Sequence, residues 1–329
     1  MRFPAILLTL CAALGATAFC FVPAGTQELK SKVLFEEPDP ARAQRELDEL
    51  AQQGKASGGK PIYDKDDRMD WGAIRDRRVQ AVALASVALI SKNFLDEQDG
   101  KLRLNAYTLE DKYNLCPGQR FLKQLSGSFC SGVLVTEDMV ATAGHCIAEV
   151  APVRGAVPLR DMRFVFGYTA GGQQEPGRSL FDKPQVFSAR ALIGGKNDAR
   201  EDWALVRLDR PVPREIAEPV KKISKTRIAD KEAVFVVGYP SGLPMKYAPG
   251  ADVVKNEGDS SFIANLDTFG GNSGAGVFAA KTNELVGILV SGETDYHRSK
   301  TARCNEAYLC PRYGCSGEKV TRIETVVFP

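Results

Sequence analysis

The chain of 329 residues has only two histidines, few aromatic residues (8%) and a formal net charge of only +2. A charge so close to zero argues against a nucleic-acid partner and against electrostatic attachment to an anionic membrane. The sequence has no C-x-x-C pair, and His145 and His297 are its only imidazoles. We therefore expect neither a zinc site nor another cofactor.

Long apolar runs are absent after the first two dozen residues. There, Arg2 precedes the apolar run Ile6–Phe21, which contains the small-x-small pattern Ala16-Thr17-Ala18. This arrangement predicts a signal peptide over residues 1–18, with a second possible cut after Ala24. An uncleaved membrane anchor is the alternative, because the run approaches membrane-spanning length.

A cleaved signal implies an extracellular or periplasmic protein with no stable membrane association after cleavage. The junction Ala18-Phe19 also resembles plastid-targeting junctions of algae with complex plastids, so plastid targeting is an alternative. Cys11 and Cys20 lie in the signal or at its edge. Six cysteines then remain, and an even set in an exported chain predicts disulfides: Cys116, Cys130, Cys146, Cys304, Cys310 and Cys315.

Residues 19–60 are interpreted as a propeptide or a linker. The polar and acidic stretch 25–60 contains a helix-forming segment, Ala41–Gln53, whose apolar stripe is too narrow to bury much surface alone. Its place between a signal and a folded domain suggests a segment removed on maturation, and a solvated linker is the alternative. The remaining residues, 61–329, form the predicted folded domain.

From about Val79 onward, short apolar and β-branched runs alternate with glycine, proline and Asp/Asn turns. This pattern predicts an all-β sandwich or a pair of barrels rather than βαβ units. The predicted strands are Ala81–Ile90, Phe129–Val135, Met139–Ala143, Phe164–Tyr168, Gln185–Ile193, Trp203–Leu208, Ala233–Tyr239, Ser261–Leu266, Gly276–Ala279, Leu285–Val290 and Lys319–Val327.

One of the two histidines follows a predicted hairpin. Phe129–Val135 and Met139–Ala143 are joined by a tight turn, and His145 comes directly after the second strand. A hairpin of this length brings Cys130 and Cys146 within bridging range, which would hold His145 in place.

Two further segments carry groups that can act with this histidine. Glycines around Ser273 in Gly270–Gly274 expose its hydroxyl and leave the amides of Gly271 and Ser273 free to form an oxyanion hole. Asp202 begins an apolar strand, where it can orient a catalytic imidazole. The alternatives are an ordinary glycine turn and an edge charge. The order His, Asp, Ser in one exported β-rich chain predicts a catalytic triad.

The motifs TAGHC, DWALVRL and GGNSGAGVF, in that order, resemble the trypsin/chymotrypsin superfamily of serine proteases. GGNSG most resembles its bacterial branch, which includes glutamyl endopeptidases, and Pro61–Met69 resembles the mature start of that branch. The resemblance covers the chain from about Ile62 onward. It implies two six-stranded antiparallel barrels with His145, Asp202 and Ser273 in the cleft between them, and an endopeptidase acting on protein or peptide substrates.

The chain departs from the trypsin branch at three positions. Asn272 replaces the aspartate that pairs with a new N-terminal amine, so we do not expect that activation switch. Phe269 stands where the branch has a pocket cysteine, and Gly276 stands where it usually has proline. We expect a local change near Gly276 and bridges in the loop Glu293–Ser316 in place of the missing disulfide.

The resemblance also suggests the residues of the S1 pocket. Asp267 occupies the position of the carboxylate at the pocket base, next to Thr268, and Val290 and Gly292 belong to one wall. Residues 317–323 resemble the opposite wall. A carboxylate in this slot predicts cleavage after Lys or Arg. Acidic P1 is the alternative, although glutamyl endopeptidases use a pocket histidine where this chain has Leu289.

Two other functions compete with a protease. A catalytically silent relative would use the same fold to bind a partner, and it would typically lack a triad residue. An esterase would usually place its serine in Gly-x-Ser-x-Gly between a strand and a helix. If His145 acts as general base, activity should fall below about pH 6–7.

Overall fold

The computed structural model describes residues 62–292 and 294–329. The predicted signal peptide and the predicted helix in residues 41–53 lie outside this part of the chain. Among the described residues, no helix combines the length and the apolar character needed to cross a membrane.

The described residues form twenty β-strands and two short α-helices, joined by turns and single turns of 3₁₀ helix. The strands are β1 (Ile62–Tyr63), β2 (Met69–Asp70), β3 (Ser86–Ser91), β4 (Leu95–Gln98), β5 (Lys101–Leu104), β6 (Cys130–Leu134), β7 (Met139–Thr142), β8 (Met162–Phe166), β9 (Leu180–Asp182), β10 (Val186–Asn197), β11 (Asp202–Leu208), β12 (Ala233–Gly238), β13 (Lys246–Lys255), β14 (Ser261–Ala264), β15 (Gly276–Ala279), β16 (Leu285–Ser291), β17 (Tyr296–Arg298), β18 (Asn305–Ala307), β19 (Leu309–Cys310) and β20 (Glu318–Arg322). The helices are α1 (Arg77–Ala83) and α2 (Leu109–Tyr113).

The first barrel is a closed antiparallel sheet with the strand order β10–β11–β7–β6–β3–β8. Its strands are apolar on both faces, as in β3 and β7, because one face lines the barrel interior and the other is covered by neighbouring segments. The interior contains the rings of Phe166 and Phe187, which meet edge to face with centroids 5.5 Å apart.

The second barrel has the order β12–β15–β16–β20–β14–β13 and closes by pairing β13 with β12. The strand β2 adds to the outside of this barrel by pairing with β13. Val236, Phe262 and Leu289 belong to its buried core. The predicted all-β class with two six-stranded barrels is therefore confirmed.

The two barrels share a buried contact at the end of β12. The Tyr239 ring stacks on Tyr168, with centroids 5.9 Å apart, and its hydroxyl donates to the Ser86 carbonyl at 3.2 Å. Both tyrosines are fully buried. This contact fixes the end of β12 in the second barrel against β3 of the first.

The structure contains nine strands that were not predicted, β1, β2, β4, β5, β9, β13, β17, β18 and β19, and it replaces the start of one predicted strand by a helix. Residues 81–83, where a predicted strand begins, belong instead to α1, because Asp76 caps this helix by accepting from the Arg78 N–H at 2.8 Å. The strand β13 was not predicted, since Pro249 and Gly250 interrupt its apolar pattern. The register between β12 and β13 shifts at these residues, and Gly250 has a φ of +84°.

The N-terminal segment, residues 62–70, lies along the second barrel. Its strand β1 pairs with β19, and β2 pairs with β13. Within β2, Asp70 forms an ion pair with the buried Lys246, whose Nζ lies 2.8 Å from Asp70 Oδ1. Burial lowers the pKa of Lys246 to about 8, against the opposing effect of Asp70. The segment is thus fixed to the barrel by both backbone and side-chain contacts.

Candidate active site

His145 lies in a single 3₁₀ turn directly after β7. The hairpin of β6 and β7 and the disulfide between Cys130 and Cys146, with Cα atoms 6.3 Å apart, hold this turn. Gly144 is required beside it, because a Cβ at this position would lie 2.2 Å from the Lys196 carbonyl oxygen. The His145 side chain keeps 29% of its surface exposed.

The structure brings His145 and Asp202 together. The ring Nδ1 of His145 lies 2.6 Å from Asp202 Oδ2, and the His145 backbone N–H donates to Oδ1 at 3.0 Å. Burial raises the pKa of the Asp202 carboxyl, but the hydrogen bonds and charge of His145 outweigh burial and lower it overall. The carboxylate therefore stays ionised and holds Nδ1 as the protonated nitrogen.

The second barrel contacts this pair through β20. Thr321 Oγ1 donates to the Asp202 carbonyl oxygen at 2.9 Å. Asp202 itself begins β11 of the first barrel and is 8% exposed. A strand of one barrel thus supports the carboxylate supplied by the other.

Ser273 lies against the same hairpin that carries His145. The Ser131 N–H of β6 donates to the Ser273 carbonyl at 2.8 Å, and Cys146 Sγ lies 3.8 Å from that oxygen. Gly274, with a φ of +90°, permits this approach, since a Cβ there would lie 2.1 Å from the Ser131 carbonyl oxygen. No hydrogen bond joins His145 to the Ser273 hydroxyl in this structure, where both residues are described. Catalytic hydrogen bonds are often long before substrate binds.

The loop before Ser273 is fixed by its carbonyl groups. Ser131 Oγ donates to the Gly271 carbonyl at 2.7 Å and accepts from the Tyr239 N–H at 3.0 Å. Gly271 has a φ of +89°, which favours glycine. Within the described residues, neither the Gly271 N–H nor the Ser273 N–H donates a hydrogen bond. Both amides thus remain available to an oxyanion.

Asn272, next to Ser273, is buried against Gly238. Its side chain is 2% exposed, and its Oδ1 has no hydrogen-bond partner among the described residues. A Cβ on Gly238 would lie 2.5 Å from this oxygen. The group next to the serine is therefore neutral and enclosed.

Asp267 is buried, and the N-terminal segment takes up both of its oxygens. Oδ1 accepts from the Tyr63 N–H at 2.7 Å, and Oδ2 accepts from the Asp67 N–H at 3.0 Å. Burial raises the pKa of Asp267 although these amides oppose it. Burial and the charge of Asp267 also raise the pKa of Asp67, to about 8. The sequence did not indicate this pairing, because it joins residues 200 positions apart.

Thr268 and Gly292 meet at a different carboxylate. Thr268 Oγ1 donates to Glu318 Oε2 at 2.8 Å, and a Cβ on Gly292 would lie 1.7 Å from that same oxygen. Glu318 and Thr268 are fully buried, and Val290 is 3% exposed within β16. The sequence did not indicate Glu318 as a pocket residue. The available signal was an acidic residue at the start of the wall strand in GEKVTRI.

The late cysteines form two disulfides, Cys116–Cys304 and Cys310–Cys315. This is one of the three pairings that the sequence left open. The first bridge ties the loop 293–316 to the segment after α2. In that region, Phe269 packs between the Arg68 guanidinium, 4.3 Å from its ring centroid, and the Tyr296 ring at 4.8 Å.

Three atoms that could bind a metal ion, one from each of Cys130, His145 and Cys146, all lie within 4.8 Å of one another. The two sulfurs are bonded to each other. Because metal binding needs thiolates, this cluster does not offer sulfur ligands to an ion.

Comparisons with known proteins agree with this architecture. The family described as trypsin-like peptidase domain matches residues 130–288. Granzyme M of Rattus norvegicus is 31% identical over 114 residues, which is 34% of this chain. The chain spans about two fifths (39%) of the length of that relative.

A solved structure of a Glu endopeptidase in complex with MPD is similar over 80% of this chain and 95% of its own, at 15% identity and a TM-score of 0.45. The match over residues 130–288 and the two closed barrels support the resemblance of this chain to the trypsin/chymotrypsin superfamily.

Proposed function

We propose that this protein is a serine endopeptidase in which His145, Asp202 and Ser273 act as the catalytic triad. The observation that carries the proposal is the His145–Asp202 pair, bonded at 2.6 Å next to the disulfide that also contacts the Ser273 backbone. The uncommitted amides of Gly271 and Ser273 support the same function, because acyl transfer needs donors for the developing oxyanion.

In the proposed mechanism, His145 Nε2 removes the proton from Ser273 Oγ as this oxygen attacks the scissile carbonyl carbon. The carbonyl electron pair moves onto oxygen, where the Gly271 and Ser273 amides bind it; each such donor typically contributes about 3–4 kcal/mol. The C–N bond then breaks, and His145 gives its proton to the leaving amine. Water repeats the sequence on the acyl-enzyme and regenerates Ser273.

The imidazolium that forms at His145 is stabilised by the ionised Asp202. Because the Asp202 pKa is lowered by its contacts with His145, this carboxylate stays charged throughout the neutral range. Asp202 also fixes which ring nitrogen carries the proton, so that Nε2 faces the nucleophile as a base.

We further propose that the enzyme cleaves after Lys or Arg. Support comes from the chemistry of the candidate S1 residues, because Thr268 donates to the buried carboxylate of Glu318 and Gly292 lies against that carboxylate. Carboxylates favour a cationic P1 side chain. The Glu endopeptidase similarity makes acidic P1 the alternative.

Export is also part of the proposal, with the signal over residues 1–18 or 1–24 and residues 19–60 as a propeptide of a zymogen. Disulfides form and persist in oxidising compartments, and the three bridges of the described domain are consistent with export. The bridge Cys116–Cys304 is positioned to brace the specificity loop where the pocket disulfide is missing at Phe269.

A catalytically silent binding protein is the second candidate, favoured by the lack of a hydrogen bond between His145 and the Ser273 hydroxyl. A fluorophosphonate probe distinguishes the two, because only an activated serine is phosphonylated. We expect labelling of the processed protein at Ser273 and none in the Ser273→Ala variant. Labelling of neither protein would refute the enzyme, and a panel of matched peptide and ester substrates would separate a peptidase from an esterase.

A further inference from the structure

Glu318 is a fully buried glutamate between the two candidate walls of the S1 pocket. It begins β20, where its backbone lies opposite Ala264 of β14. Its Oε2 accepts from Thr268 Oγ1 at 2.8 Å, and it lies so close to Gly292 that a Cβ there would be 1.7 Å from it. A side chain that enters between Thr268 and Gly292 would therefore meet this carboxylate.

Asp267, at the position where the superfamily pattern places the pocket carboxylate, faces other groups. Its two oxygens accept the Tyr63 and Asp67 amides of the N-terminal segment. It lines a small cavity of about 150 Å³ with these two residues and Arg312, and this cavity is not lined by Thr268, Val290 or Gly292. The charge of Asp267 is therefore used to hold the N-terminal segment.

We propose that Glu318, rather than Asp267, is the specificity-determining carboxylate that recognises a Lys or Arg side chain at P1. This inference rests on the proposed peptidase function. A buried carboxylate discriminates strongly between P1 side chains, because burial makes its interaction with a cation strong and its interaction with another carboxylate unfavourable. Thr268 orients Glu318 through its hydroxyl, and Gly292 leaves the space that the carboxylate occupies.

The position of Glu318 also explains why a glycine is needed at residue 292. Antiparallel pairing of β16 and β20 sets Ser291 opposite Lys319, so Gly292 and Glu318 come next to each other at the end of the ladder. Any side chain at residue 292 would displace the carboxylate. The two residues thus act as one unit.

The first test is a library of peptides that differ only at P1, assayed on the processed protein, Glu318→Gln and Asp267→Asn. Fluorophosphonate titration sets the concentration of active sites in each sample. We expect wild type to prefer Lys and Arg, and Glu318→Gln to lose roughly 10- to 100-fold in kcat/KM for these residues relative to Ala or Leu, as expected when a charge-assisted hydrogen bond becomes neutral. The Asp267→Asn variant should keep the wild-type ratio.

Glutamine keeps the shape of Glu318 and an acceptor for Thr268, so the variant tests charge rather than packing. Glu324→Gln, at an exposed position just after β20, is the matched control and should keep the ratio. A wild-type preference for acidic or apolar P1 would overturn the inference. So would loss of the ratio in Asp267→Asn with its retention in Glu318→Gln.

The second test does not depend on catalysis. Benzamidine, an aromatic amidinium, mimics a basic P1 side chain, and its binding to full-length Ser273→Ala is measured by calorimetry. Adding Glu318→Gln should weaken binding at least 10-fold, whereas adding Glu324→Gln should not. Equal affinity in all three proteins, or no binding, would contradict the role of Glu318. Failure of the probe to label Ser273, in contrast, would contradict the peptidase function itself.

Discussion

Asp202 binds His145 at two points, with Oδ2 2.6 Å from the ring Nδ1 and Oδ1 3.0 Å from the backbone N–H. One carboxylate therefore holds both the backbone of the histidine and the orientation of its ring. Thr321 of the second barrel donates a hydrogen bond to the Asp202 carbonyl oxygen at 2.9 Å. The Asp202–His145 pair therefore also depends on the packing of the two barrels.

Asp202→Asn should abolish most activity without unfolding the protein. The amide cannot stabilise the imidazolium and favours the wrong tautomer of His145, so we expect kcat to fall by about 10⁴. Steady-state kinetics on a peptide substrate, with circular dichroism to check the fold, measures this effect. Glu201→Gln is the control, because Glu201 accepts from Trp203 Nε1 at 2.9 Å and does not contact His145. Similar kcat values for the two variants would argue against the triad.

Gly274→Ala should destabilise the protein more than Gly155→Ala. Both glycines have a φ of +90°, so each alanine incurs about 1–2 kcal/mol for its backbone conformation. Only at Gly274 would the Cβ also meet the Ser131 carbonyl oxygen, at 2.1 Å, whereas Gly155 has open space. We expect Gly274→Ala to lose about 1–3 kcal/mol more of the free energy of unfolding than Gly155→Ala, as is typical of overpacking. Urea unfolding measures the free-energy difference.

The same glycine pair separates stability from function. Gly274→Ala should also slow probe labelling of Ser273, because the clash moves the serine away from β6. Gly155→Ala, at an exposed turn, should label at the wild-type rate. Equal stability and equal labelling in the two variants would mean that the close approach of Gly274 to Ser131 is not present in solution.

Removal of the Cys130–Cys146 disulfide should reduce both stability and activity. The bridge closes a loop with a sequence separation of 16, for which chain entropy predicts about 3 kcal/mol. Because Cys146 follows His145 directly, the paired serine variant should also lose labelling at Ser273. The bridge Cys310–Cys315, with a separation of 5, serves as control; its removal should cost about 2 kcal/mol and leave labelling largely intact.

The carboxyl pair Asp67–Asp267 should make the stability of the protein depend on pH. Burial and the charge of Asp267 raise the pKa of Asp67 from 3.8 to about 8. The folded state therefore holds a proton that the unfolded state has lost between about pH 4 and pH 8. This contribution to stability is complete below about pH 4 and disappears as the pH rises through about 8.

The Asp67→Asn variant cannot lose this proton, so the wild type should lose stability relative to it as the pH rises from 4 to 8. Urea unfolding at a series of pH values measures the difference, with Asp230→Asn at an exposed position as the charge control. A difference between wild type and Asp67→Asn that stays constant over this range would refute the raised pKa.

The sequence by itself determined the class of fold and the candidate chemistry. Alternation of short apolar runs with turn residues indicated the strands, because this alternation is a local consequence of burying strand faces. TAGHC, DWALVRL and GGNSG likewise indicated His145, Asp202 and Ser273 as candidates, since each motif lies within a short stretch of the local sequence. The helix α1 was missed because a single capping contact of Asp76 outweighed the apolar pattern.

Only the tertiary structure decided how distant groups pair. The hydrogen bond between Tyr63 and Asp267 joins residues 204 positions apart, and the hydrogen bond between Thr268 and Glu318 joins residues 50 positions apart. The pairing of Cys116 with Cys304 spans 188 positions. Such contacts follow from the closure of a barrel and the register of its strands, which bring segments together regardless of their distance along the chain. For this reason the sequence indicated Asp267 alone, and only the fold showed that Asp267 contacts the N-terminal segment whereas Thr268 contacts Glu318.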